Sequence, residues 1–266
     1  MAAVNSEAGG SDPRALPAAS SGREPHTGAY HRYAGIYDRL WSRAPYHRFV
    51  DLCVEDLPAG ARPVRRVLVA ACGTASAALE FARRRYRVTG FDLSAAMLAV
   101  ASGKCRASGL RVGLIRADLR AVPFADGSAD LIVVLNTSIN YLLEPTEVVE
   151  ALSHLARVAG PGGTVVVEPL SSRYLHAGVE ANRHVDADGL RFDAAYTLRG
   201  DLLAERLHWL AGGEEATETY WQRFYGDDDL ARMFSRAGLT VAARRSMYPA
   251  IPAAPARGRV LWVATA

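Results

Sequence analysis

The chain has 266 residues, half of them hydrophobic and 22% charged, with a formal net charge of +3. That suits one globular domain, or one domain with a sizeable insertion, and scattered arginines with so little net charge argue against a nucleic-acid partner, which selects for a basic stripe. No apolar run is long enough to span a bilayer and the N-terminus lacks a basic-then-apolar signal segment, so no membrane partner and a cytoplasmic location are expected.

Residues 1–29 are rich in Ala, Ser, Gly and Pro without apolar periodicity and read as a disordered leader. Ile36, Leu40, Phe49, Val50, Cys53 and Leu57 supply the apolar face of one or two helices over 30–64, with a break at Pro45. The core is expected over 65–170. Val67 to Ala70 reads as a buried strand followed by the turn Ala71-Cys72-Gly73-Thr74, then a helix through Leu79, Phe81 and Ala82. Arg87 to Phe91 is a second strand ending at Asp92, and Ser94 is a suitable N-cap for a helix carrying Met97, Leu98 and Val100.

A third strand covers Val112 to Ile115 before Asp118, and a fourth covers Asp130 to Leu135 before Asn136. The stripe Val148, Val149, Leu152, Leu155, Val158 marks a helix that stops at Gly160-Pro161-Gly162-Gly163, and Thr164 to Val167 forms a fifth strand ending at Glu168. Residues 171–225 alternate polar and apolar in the manner of antiparallel strands. Over 226–266 a helix beginning at Gly226-Asp227-Asp228 precedes two last strands, Leu239 to Ala243 and Val260 to Ala264. The fold class is therefore α/β, a doubly wound, mostly parallel seven-stranded sheet with helices on both faces and an antiparallel insertion.

In such a sheet ligands bind beyond the carboxyl ends of the strands, where the strand order reverses. Gly73 lets a ligand approach the first turn, and Asp92 follows it by 19 residues, close to the roughly 20-residue spacing at which a carboxylate meets the ribose hydroxyls of an adenosine ligand. Asp118 could accept from an adenine amino group while the Leu119 backbone meets a ring nitrogen, with Leu93 and Met97 on the ring faces. An acidic residue at one strand end is ordinarily a cap or a solvated loop residue. Asp92, Asp118 and Asn136 at successive strand ends form a set. Cys53, Cys72 and Cys105 have neither metal-ligand nor disulfide spacing, and no metal is expected.

Val67-Leu68-Val69-Ala70-Ala71-Cys72-Gly73-Thr74-Ala75 resembles the first motif of class I S-adenosylmethionine-dependent methyltransferases, and Phe91-Asp92-Leu93-Ser94 with Met97-Leu98 their second-strand motif. Ala117-Asp118-Leu119, Phe124 to Asp130, and Leu155 to Gly163 are similar to later motifs, so the resemblance spans about residues 65–170. It implies S-adenosylmethionine as cofactor, with Ala71, Cys72, Gly73, Asp92, Leu93, Met97, Asp118, Leu119 and Asn136 around it. The first motif departs from the family: Ala71 and Ala75 stand where glycines are usual, and Val69 replaces a common acid. A left-handed Ala75 would cost on the order of 1 kcal/mol.

Tyr30, Tyr33 and Tyr37 before Asp38 are similar to the lead-in of small-molecule methyltransferases, which implies a lid reaching the cofactor through Tyr33 and Tyr37; the other reading is a helix face packed on the core. Thr137 to Leu142, the insertion and Arg257 to Trp262 look like N-methyltransferases of amino sugars and similar secondary metabolites, in which the insertion covers the substrate. For a hydroxyl acceptor a general base is needed, and His176 is preferred over His184; an amine needs none. Tyr141 and Glu168 are expected to orient the acceptor, although Glu168 could equally cap a helix or pair with an arginine.

The expected activity is methyl transfer to an amine or hydroxyl of a small-molecule substrate, and the insertion could pair across a homodimer. Three alternatives are weaker. A tRNA methyltransferase would carry a base-methylating signature where Asn136-Thr137-Ser138-Ile139 stands. An NAD-dependent oxidoreductase would need the glycines this turn lacks. A degenerate, non-catalytic binding member would be exposed by a cofactor titration.

Overall fold

Residues 30–41, 44–55, 57–171, 183–247 and 259–266 are described in a computed structural model. The expected leader lies outside them, as does His176. Two helices open the described chain, α1 (Ala34–Trp41) and α2 (Tyr46–Val54), and Pro45 stands at the N-cap of α2, which fits its fixed φ and missing N–H. Strands β1 (Arg66–Ala70), β2 (Arg87–Asp92), β3 (Val112–Arg116), β4 (Leu131–Val134) and β5 (Thr164–Val167) follow, linked by α3 (Ser76–Arg83), α4 (Ala95–Ser108) and α5 (Pro145–Ala159). After them come β6 (Arg183–Ala187), β7 (Leu190–Arg199), β8 (Leu202–Ala211), β9 (Glu214–Arg223), α6 (Asp227–Arg236), β10 (Thr240–Ser246) and β11 (Val260–Thr265).

The main sheet has seven strands in the order β3-β2-β1-β4-β5-β11-β10. Pairing is parallel from β3 to β5, and β11 runs antiparallel to both β5 and β10. The order reverses between β1 and β4, the switch point at which a crevice opens. Every residue of β4 and β5 is buried, as expected of strands covered on both faces. Phe49, Val50 and Cys53 of α2 and Ala77, Ala78 and Phe81 of α3 pack one face. Val148, Leu152 and Leu155 of α5 with Leu230, Met233 and Phe234 of α6 pack the other.

Local chemistry sets the element ends. Ser94 Oγ accepts the Met97 N–H and caps α4. Glu144 and Glu147 form a capping box around Pro145 at the start of α5. At its end, a Cβ on Gly163 would lie 2.4 Å from the Ala159 carbonyl oxygen, so only glycine allows the chain to turn directly into β5.

Strands β6 to β9 form a separate antiparallel sheet, in sequence order. Its apolar face, with Phe192, Leu207, Trp209 and Tyr220, packs on Tyr33, Ala34 and Ile36 of the N-terminal segment and on Met97 of α4. The N-terminal segment is thus held between insertion and core. Glu218 of β9 accepts the Arg32 N–H at 2.9 Å, just ahead of α1, where a carboxylate complements the helix dipole. No helix among the described residues is long and apolar enough to cross a membrane.

Candidate active site

A cavity of about 320 Å³ opens at the switch point, within the volume range of small-molecule sites. The turn after β1 forms its floor. Ala71, Gly73 and Ala75 all take left-handed φ, at 49°, 54° and 63°, so the strain expected at Ala75 is present and Ala71 shares it. Cys72 between them points to β2, where a Cβ on residue 90 would come within 2.9 Å of its Sγ; Gly90 makes that room. Burial pushes the Cys72 thiol up, so it stays protonated and inert.

Relief of left-handed strain at an alanine is worth about 1–2 kcal/mol, while a glycine costs roughly 0.4–1 kcal/mol through the more disordered unfolded chain. Ala75→Gly is therefore expected to stabilise the fold by about 0.5–1 kcal/mol, and a urea denaturation midpoint below that of the parent would refute the strain account.

Asp92 at the end of β2 accepts the Gly73 N–H on Oδ2 at 2.7 Å and the Ser94 N–H on Oδ1 at 2.8 Å. Asp92 lines the cavity, and a carboxylate has acceptor sites on both oxygens, which suits a pair of vicinal hydroxyls. Burial is the largest influence on this carboxyl and raises its pKa, against the lowering effect of the backbone N–H groups. At the next strand end Asp118 is gripped by Arg120, whose Nη1 also pairs with Glu147 at 2.8 Å. Leu93, Met97 and Leu119 line the cavity between these acids.

Beyond β4 the lining turns aromatic. Tyr30, Tyr37, Tyr46 and Tyr141 line this end together with Asn136, Ser138 and Trp221. The hydroxyls of Tyr30 and Tyr141 are hydrogen-bonded to each other, and the Tyr30 ring stacks on Tyr220 at 4.5 Å. Burial raises the pKa of all four cavity tyrosines above the usual phenol value, so they are neutral hydroxyls. The N-terminal segment is also tied to the floor, since Thr74 donates to Asp38 at 2.7 Å and Lys104 pairs with the same carboxylate at 2.8 Å. Lys104, the sole lysine of the chain, also donates to Ser76 at 2.7 Å.

Of the residues singled out in the sequence, Tyr37, Ala71, Cys72, Gly73, Asp92, Leu93, Met97, Asp118, Leu119, Asn136 and Tyr141 all meet in this cavity. Two others lie outside the lining. Tyr33 is absent from the lining; its ring is buried against Phe192 and Trp209 of the insertion, and Tyr30 and Tyr46 hold the places expected of it. Glu168 is fully buried and paired with Arg259 outside the lining, so it cannot touch an acceptor. His184 is exposed on β6 beside Asp193 at 2.6 Å, also outside the lining. Tyr46, Arg120 and Trp221 went unmarked in the sequence, and Arg259 was read only as part of the closing segment, without a role at the site. Arg120, two residues beyond Asp118, offered a local signal; the others are brought in by contacts remote in the chain.

Residues 67–163 match a methyltransferase domain. Over 214 residues the chain is 33% identical to the malonyl-[acyl-carrier protein] O-methyltransferase of Pseudescherichia vulneris, covering 79% of this chain and 77% of that one. The chain spans about half the length of several other curated methyltransferases it matches, demethylmenaquinone methyltransferases among them. Among solved structures, an S-adenosylmethionine-dependent methyltransferase from Clostridium acetobutylicum superposes with a TM-score of 0.75 at 19% identity, over 89% of this chain and 98% of that one. The S-adenosylmethionine-bound amino pentose methyltransferase of Micromonospora echinaspora, involved in calicheamicin biosynthesis, gives 0.67 at 22% identity, over 86% and 96%. At such identities these likenesses concern the fold.

Proposed function

The chain belongs to the class I S-adenosylmethionine-dependent methyltransferases, and we propose that it methylates an amine of a small-molecule metabolite. One observation carries the choice of acceptor: among the described residues the cavity is lined by no histidine or lysine, and its one arginine, Arg120, is engaged by Asp118 and Glu147. A hydroxyl acceptor is best served by a base with a pKa near neutrality, and the lining tyrosines titrate above that. A neutral amine attacks through its own lone pair. The ammonium it becomes is favoured by tyrosine faces and oxygens.

When bound, S-adenosylmethionine supplies a methyl group on a sulfonium. In this reading Asp92 accepts from the ribose hydroxyls, and Asp118, fixed by Arg120, accepts from the adenine amino group between Leu93, Met97 and Leu119. Tyr30, Tyr37, Tyr46 and Tyr141 exclude water and hold the acceptor for in-line attack. Residues 30–64 then close the cavity, 65–170 hold the cofactor, 171–225 cover the acceptor and 226–266 complete the sheet. An amino pentose methyltransferase of calicheamicin biosynthesis that shares this fold is in keeping with an acceptor from secondary metabolism, handled in the cytoplasm without nucleic acid.

The malonyl-carrier relative favours a second reading, a carboxylate acceptor. That anion would need a cation, and Arg120 is already committed. Calorimetric titration is expected to show micromolar binding of S-adenosylmethionine and none of NAD, and labelled-methyl transfer across panels of amines, carboxylates and phenols is expected to mark amines alone. Labelling confined to carboxylates would replace the amine reading, and absence of cofactor binding would withdraw the assignment of this cavity.

A further inference from the structure

Asn136 is held from behind by a buried charge pair. Its backbone N–H donates to Glu168 Oε2 at 2.9 Å, and Arg259 Nη2 donates to its Oδ1 at 3.4 Å. The same guanidinium donates through Nε and Nη2 to Glu168 Oε1 and lies over the Phe49 ring at 5.7 Å. The Glu168 side chain is 0% exposed and that of Arg259 13%. Burying such a pair costs desolvation free energy that its own attraction barely returns, so it is poor as a stabilising device. What it does do is converge on one residue. Asn136 sits at φ 52°, a left-handed conformation that asparagine tolerates better than most side chains.

With Oδ1 turned toward Arg259, Asn136 is left with its amide N–H groups, which meet the Tyr46 hydroxyl and the cavity that both residues line. Sheet order says which part of a ligand meets them. Asp92 and Asp118 follow β2 and β3, whereas Asn136 follows β4, on the far side of β1. An elongated ligand with its adenosine over β2 and β3 must lay its other end across β1 toward β4. We propose that Arg259 and Glu168 are positioning residues that orient the Asn136 amide as a donor to the methionine half of the cofactor. The proposal rests on the cofactor reading of the cavity given above.

A ligand pair separates positioning from general damage. S-adenosylhomocysteine carries both halves of the cofactor, whereas 5′-methylthioadenosine lacks the amino-acid half. Arg259→Lys keeps the charge and loses the planar fork that reaches Glu168 and Asn136 together. Calorimetric titration is expected to show S-adenosylhomocysteine bound on the order of tenfold more weakly by this variant, with methylthioadenosine changed by less than about twofold. Asn136→Ala is expected to show the same selectivity, and adding Arg259→Lys to it is expected to change nothing further, because the pair acts through Asn136. Equal weakening of both ligands, unchanged S-adenosylhomocysteine affinity, or full additivity in the double variant would overturn the proposal. Should Arg259→Lys fail to fold, the selectivity of Asn136→Ala decides alone. Parent protein that binds neither ligand would sink the cofactor reading itself, and the proposal with it.

Discussion

Asp92→Ala is expected to abolish measurable binding of S-adenosylmethionine while leaving the fold intact. The carboxylate lines the cavity at the end of β2, and its two oxygens are held in place by the backbone N–H groups of Gly73 and Ser94. Two hydrogen bonds to an ionised group contribute about 1.5–3 kcal/mol each, so their joint loss weakens binding by about a hundredfold or more. The fold survives because the freed N–H groups face the cavity, where water can replace the lost acceptor. Asp92→Asn, which offers one acceptor oxygen, should fall between parent and alanine variant. Parent-like affinity in Asp92→Ala would refute the ribose assignment.

The pH dependence has two parts of opposite sign. Burial raises the Asp92 pKa above its unfolded value, so its protonation favours the folded state. That contribution is complete below the ordinary carboxylate range and is lost as pH rises through the raised value. Donation by ribose hydroxyls favours the ionised form, so cofactor affinity should rise with pH across the same window. Asp92→Asn should flatten that dependence.

Glu168→Ala is expected to be the most destabilising single change considered. It leaves the Arg259 guanidinium almost wholly inside the protein without its counter-charge, and breaking a buried pair on one side costs about 3–5 kcal/mol. For a chain of this size that lowers the thermal midpoint by roughly 6–20 °C. The pair is costly to break rather than strongly stabilising. Replacing both partners, as in Glu168→Leu with Arg259→Met, should therefore recover much of the loss in a thermal melt. If the double variant melts as low as Glu168→Ala, packing around Phe49 rather than charge is what the site requires.

The legible parts of this protein are those written within a few residues. Runs such as Val67 to Ala70 and Thr164 to Val167, the Ser94 cap and the glycine stop at the end of α5 each carry their instruction locally, and the structure follows them to within a residue or two. Because strand ends in a parallel sheet all open on one edge, reading Asp92, Asp118 and Asn136 as strand-end residues was enough to bring them into one cavity. Tyr33 illustrates the opposite case. Residues Tyr30, Tyr33 and Tyr37 are equivalent in sequence, and which of them faces the cavity depends on how the turn ahead of α1 packs against Phe192 and Trp209, far along the chain.

The sequence by itself determined the α/β order and the acidic residues that meet at the strand ends, since hydrophobic periodicity and turn chemistry act over short range. Only the tertiary structure decided the fate of Glu168. Its strand-end position is the same kind as that of Asp92, yet Arg259, 91 residues away, draws its carboxylate behind the wall. Charge attracts charge wherever the chain brings the two together, and no local pattern encodes that meeting. The same holds for the aromatic end of the cavity, assembled from α1, α2, the turn after β4 and β9: each tyrosine is an ordinary amphipathic residue in its own segment and becomes part of a site when the sheets pack.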